Sequence, residues 1–207
     1  MKLRSSLMAI AVVSLAAIFT SCESKTKLAK SIEGSWTATP ERLADDDAVS
    51  ATSVRIFDFL PDTSTPVTNG QLVMSSMVTI TTAADNSAAD ADDIMQHYTV
   101  TASGVATVTG TWTVIDDDEV RIDVDPSTLI VKVDPQGVEV NVNAITSQTV
   151  SVPDSIKPAF AESVKTQIRR LVEKQFFDVS KIDDIEIKDE FMTMEINKRD
   201  YSLRRQL

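Results

Sequence analysis

GTWTVIDDDEVRIDVD, residues 110–125, decides the fold. Trp112 and Val114 alternate with Thr111 and Thr113, the triplet Asp116-Asp117-Asp118 breaks the run, and Val120, Ile122 and Val124 then alternate with Arg121, Asp123 and Asp125. Residues two apart lie on the same side of a strand, so each half has one apolar and one wet face, and the stretch reads as a hairpin. That is the signature of an antiparallel sheet buried on one side; parallel strands covered on both sides read as continuous apolar runs.

The same two-residue period continues outward. Leu129, Val131 and Val133 keep it, Asp134-Pro135-Gln136-Gly137 makes a turn, and Val138, Val140 and Val142 resume it. Earlier strands are predicted over 34–38, 53–60, 72–82, 97–102 and 105–115, with 85–93, dominated by Ala, Ser, Asn and Asp, as a long exposed loop. The rhythm changes after Pro153. Ile156, Phe160, Val164, Ile168, Leu171 and Val172 recur at steps of three and four, which puts them on one stripe of a helix over 154–177. Asp154 or Ser155 suits its N-cap, and Pro158 sits in the first turn, where a missing amide donor costs least. Strand patterns return at Ile185-Ile187, Met192-Met194-Ile196 and Tyr201-Leu203. The chain therefore reads as all-β, an antiparallel barrel or sandwich of about 8 to 10 strands with one amphipathic helix late in the chain.

Ahead of the strands, Met1 to Arg4 is basic, Leu7 to Phe19 is apolar, and Thr20-Ser21 precedes Cys22, the only cysteine. The apolar run is too short to span a bilayer and reads as an export signal over 1–21. Residues 22–30, with Lys25, Lys27 and Lys30 against Glu23, read as a basic tether, and 31–207 as one β domain. The chain holds 20 basic and 31 acidic residues; losing Lys2 and Arg4 with the signal leaves a formal charge of −13. Nucleic acid is a poor partner for such a surface, and none is expected. A lone cysteine permits no internal disulfide, so packing must supply stability.

Catalytic chemistry finds little support. His97 is the only histidine, which rules out histidine-rich metal centres and confines any Ser-His-Asp arrangement to its surroundings; it opens a polar strand and reads as structural or solvent-exposed. Five glycines form no phosphate loop. The acidic runs at 45–47, 90–93 and 116–119 lack the alternation and central glycine of a calcium loop and read as solvated turns. No enzyme, cofactor or metal is expected. Trp36, Phe57, Phe59, Tyr98 and Trp112 either line an apolar cavity or fill the core.

Two resemblances sharpen this reading. Ile18-Phe19-Thr20-Ser21-Cys22 resembles the signal of bacterial lipoproteins, those of Bacteroidota in particular, and implies that Cys22 is acylated, starts the mature chain and holds it at the outer membrane on the periplasmic side. Gly34-Ser35-Trp36-Thr37 and its echo Gly110-Thr111-Trp112-Thr113 resemble the Gly-x-Trp signature of lipocalins and of lipocalin-like domains in Bacteroidota lipoproteins. That resemblance implies a lipocalin-like barrel in which Trp36 closes one end under Arg204 or Arg205, with Phe57, Phe59, Tyr98 and Trp112 around a small apolar or amphipathic ligand. Lipocalins place their helix after the eighth strand, whereas strands follow it here. The alternative is an interaction or scaffold subunit of an envelope complex, with no ligand cavity.

Cys22→Ala is expected to move the protein from the membrane fraction to a soluble or uncleaved form on cell fractionation, because a multiply acylated cysteine anchors far more firmly than a single chain can. A cleaved mutant that stays in the membrane would contradict the anchor.

Overall fold

Residues 23–45, 49–63, 67–85, 97–143 and 154–206 are described by a computed structural model. Cys22, the loop expected after Asp85 and the side chains of His97 and Tyr98 lie outside the described residues. Residues 23–32 form helix α1. Then follow β1 (Gly34–Ala38), β2 (Glu41–Asp45), β3 (Val49–Pro61), β4 (Asn69–Asp85), β5 (His97–Val114), β6 (Val120–Val133) and β7 (Glu139–Asn143). The late helix, α2, spans Lys157–Phe177, and β8 (Lys181–Lys188), β9 (Phe191–Ile196) and β10 (Arg199–Arg205) complete the chain.

All strands pair antiparallel in one sheet, and its ends meet. The order runs β1, β10, β9, β8, β6, β5, β4, β3, and β3 pairs back onto β1, so eight strands form a closed barrel. β2 and β7 lie outside this ring. Gly34 to Thr37 pair with residues 56–59 of β3, and β2 pairs with residues 50–53 of the same edge, so β1 and β2 are one path along β3 broken at Thr39-Pro40. Proline lacks the amide that a ladder needs, which explains the break. In the same way β5 pairs with β6 through residues 104–114 and with β7 through 97–101. The strands predicted over 97–102 and 105–115 are thus one, running through Gly104.

One seam of the ring is short. β6 and β8 share two residue pairs, Val120 with Ile182 and Arg121 with Lys181. The amides of Ile122 and Ile185 extend it by donating to the carbonyls of Ser180 and Asp118, at 2.9 and 3.1 Å. Lys181 Nζ reaches Glu119 across this seam at 3.3 Å and Asp183 on its own strand at 2.8 Å. The hydrogen bond to Asp183 holds the ammonium pKa above the ordinary lysine value.

β3, β4 and β5 are longer than the ring needs, and α2 covers the buried face of β4, β5 and β6 in the half that extends beyond it. Small side chains make room there: Ala51 and Ser53 on β3, Ser76 on β4, Ala102 and Ala106 on β5 are buried. Gly104 lets the helix approach closest, since a Cβ there would lie 2.7 Å from Ile168 Cδ1 and 2.9 Å from the carbonyl of Lys132. The buried stripe of α2 is Ala161, Val164, Ile168, Val172 and Phe176. Ile156, predicted to start the stripe, is exposed instead, because Asp154–Ile156 form a separate 3-10 turn before the helix begins. Neither Asp154 nor Ser155 caps it; Ile156 occupies the N-cap without a side-chain bond.

The basic stretch expected to be a tether is folded. Leu28, Ala29 and Ile32 of α1 are buried with the barrel core. They fall at steps of one and three, enough to give a short helix one apolar stripe, while Lys27 and Lys30 remain exposed.

Gly104→Ala is expected to cost about 1 to 3 kcal/mol, the range for overpacking a filled core, measured by chemical denaturation. A change within about 0.5 kcal/mol would mean that α2 rides more loosely on β5 than the structure places it.

Candidate functional site

Trp36, Phe57, Phe59 and Trp112, four of the aromatic residues singled out in the sequence, are buried in the core. Trp36, with Phe57 directly opposite on β3, is fully buried, and its Nε1 donates to the carbonyl of Ile32 at 2.7 Å. The guanidinium of Arg205 lies 4.3 Å from the centre of the Trp36 ring, donating from Nη1 to the Glu33 carbonyl and from Nη2 to the Ser31 carbonyl at 2.8 and 2.7 Å. Carbonyls at the end of a helix lack partners within it, and here the indole and the guanidinium supply them. Arg205 shares the inward side of β10 with buried Leu203. Arg204 points the other way, to Glu190 at 3.0 Å and Phe191, so of the two arginines only Arg205 covers Trp36.

Phe57, Phe59 and Trp112 pack on one another, with ring centres 6.5 Å apart for the first pair and 6.1 Å for the second. Trp112 Nε1 donates to the carbonyl of Gln71 at 3.0 Å. None of the three is more than 1% exposed. All three belong to the buried hydrophobic core.

An open site lies elsewhere. Between α2, β2, β3 and the β9–β10 turn is a cleft of about 380 Å³. Leu43, Leu171, Val179, Ile196 and Tyr201 give it apolar walls; Glu41, Arg55, Lys174, Gln175, Asp178 and Arg199 give it a polar side. With Arg42 the lining holds four basic and two acidic residues, in a chain of net charge −11. The volume suits a small ligand.

Arg55 is the centre of this cleft. It is 4% exposed, on the inward side of β3 with Ala51, Ser53, Phe57 and Phe59. Its guanidinium stacks on Tyr201, 4.3 Å from the ring centre, and its Nε lies 2.8 Å from Glu41 Oε1, while Arg199 holds the other Glu41 oxygen at 3.6 Å. The ion pair is close but misaligned: neither Nε nor Nη2 of Arg55 completes a hydrogen bond. Ser76, directly opposite Arg55 on β4, has a buried and unpaired Oγ. Gln175 donates from Nε2 to Glu41 and to Ser53 Oγ, and its Oε1 is buried without a partner. Each unmet buried polar group costs about 1 to 3 kcal/mol; three such atoms belong to Arg55 and Gln175, which line the cleft, and a fourth to Ser76 on the neighbouring strand.

The guanidiniums, ammonium, carboxylates and phenol that line the cleft are groups suited to charge pairing and hydrogen bonding. Among the described residues no three His, Cys, Asp or Glu side chains converge as a metal site. Comparison with protein-family models and with curated protein sequences finds no match, so the chemistry rests on the residues themselves. Sequence reasoning missed Arg55. The available signal was parity, since in Ala51, Ser53, Arg55, Phe57, Phe59 a charge occupies an inward position of an alternating strand.

Because the pair is misaligned, replacing both partners, Arg55→Met with Glu41→Met, is expected to keep stability within about 1 kcal/mol of the unaltered chain or to raise it. Thermal and denaturant unfolding would measure this. A loss above about 3 kcal/mol would mark the guanidinium as a satisfied structural centre.

Proposed function

We propose that this protein is a bacterial envelope lipoprotein that binds a small amphipathic molecule in the cleft between α2 and the barrel, not within the barrel itself. The observation that carries this reading is the group of unmet polar atoms around Arg55 beneath the apolar walls of Leu43, Leu171 and Ile196. Polar groups kept buried without partners at a cost in stability are found where function requires them. The signal ending at Ser21-Cys22 supports attachment through lipid on Cys22 at the outer membrane, facing the periplasm.

A second reading, an interaction or scaffold subunit, is favoured by one surface feature. Val54, Met77 and Val105 stand opposite one another on the outer side of β3, β4 and β5, with Met77 46% and Val105 43% exposed, and Ile130, 56% exposed, lies on the adjoining strand β6.

The full chain in lipid nanodiscs is expected to bind a fatty-acid-like fluorescent probe saturably at one site, with a Kd near or below about 10 μM, after subtraction of empty discs. Leu171→Trp, which fills the cleft, should abolish that binding. Binding that survives Leu171→Trp would place the ligand elsewhere, and no saturable binding would favour the scaffold reading.

A further inference from the structure

We propose that Arg55 receives an oxyanion, a carboxylate or a phosphate, at the head of the molecule bound in the cleft; this rests on the cleft reading above. The unmet groups are chiefly donors. Arg55 offers Nε and Nη2, and Ser76 offers a hydroxyl from the facing strand. A guanidinium fork matches two oxygens of one oxyanion, and such charge-assisted bonds are about twice as strong as neutral ones. Gln175 Oε1, an unmet acceptor in the cleft, suits a bridging water.

The cleft also contains the means of exchanging one anion for another. Glu41 now occupies the Nε side of Arg55 and is 17% exposed, and it already touches Arg199, whose side chain is 69% exposed. An incoming oxyanion can take the place beside Arg55 while Glu41 stays with Arg199. Lys174, which has no ion-pair partner among the described residues, then faces the entrance with an uncompensated charge. Tyr201, stacked on the guanidinium, keeps the fork from turning away.

The test is a ligand series on the unaltered full chain in nanodiscs, by equilibrium dialysis with empty discs subtracted: octanoate, octyl phosphate, octanol and octylamine. At least one of the two anions is expected to bind about tenfold or more tighter than octanol, with octylamine weakest; the tighter anion identifies the head group. Arg55→Met should erase the preference, and Lys174→Gln, an exposed change that leaves the core intact, should reduce it several-fold. Equal binding of octanoate, octyl phosphate and octanol would overturn the oxyanion assignment while leaving the cleft as a site. A preference that persists undiminished in folded Arg55→Met would overturn the role of Arg55. Failure of every member to bind saturably would defeat the cleft reading as well.

Discussion

β1 is five residues long, yet the shape of the molecule depends on its being paired on both edges. Trp36 stands opposite Arg205 on one side and Phe57 on the other. That single position joins the first strand, the last strand and β3, and its indole and the overlying guanidinium also take up the terminal carbonyls of α1. Burying an aromatic of this size contributes about 4 to 6 kcal/mol by area, so the hydrophobic gain and the closure of the ring reside in the same few atoms. With the ring closed, its interior has to be filled. Phe57, Phe59 and Trp112 do this at one end, and α2, seated on small residues of β3 to β5, does it at the other. The cleft around Arg55 lies at the margin where helix and barrel meet.

Much of the fold was legible because burial on one face imposes a two-residue period. β6, β9 and the core of β4 followed from their alternation, and α2 from its change of rhythm at Asp154. β2 was missed since Glu41-Arg42-Leu43-Ala44-Asp45 carries no alternation; the bond ladder along β3 holds it, not a buried face. α1 was read as a tether because three lysines outweigh a stripe of three apolar residues, and only the carbonyl partners supplied by Trp36 and Arg205, the latter 172 and 174 residues from the carbonyls it meets, show what fixes its end. The choice between Arg204 and Arg205 needed the inward parity of β10, which Leu203 sets.

The cleft was illegible for a different reason. Residues 41, 55, 174 and 199 meet only after the barrel has closed and α2 has settled, so no spacing announces them. Aromatic residues drew attention as candidate ligand contacts, and packing claimed them. A charged residue at an inward position was the better clue. Its cost to stability is what separates Arg55 from Arg205: both guanidiniums lie over aromatic rings, but Arg205 has two carbonyl acceptors and Arg55 has a misaligned carboxylate. The first has the character of a structural clasp, the second of a group prepared for a partner.

The central proposal is that binding takes place beside the barrel and not inside it. Intermolecular nuclear Overhauser effects between a methyl-labelled full chain and bound octanoate test this most directly, because they report where the alkyl chain lies. The account requires contacts to methyl groups of Leu43, Leu171, Val179 and Ile196, and none to Leu72, Met74 or Val108 inside the ring. Contacts to that interior set would contradict it.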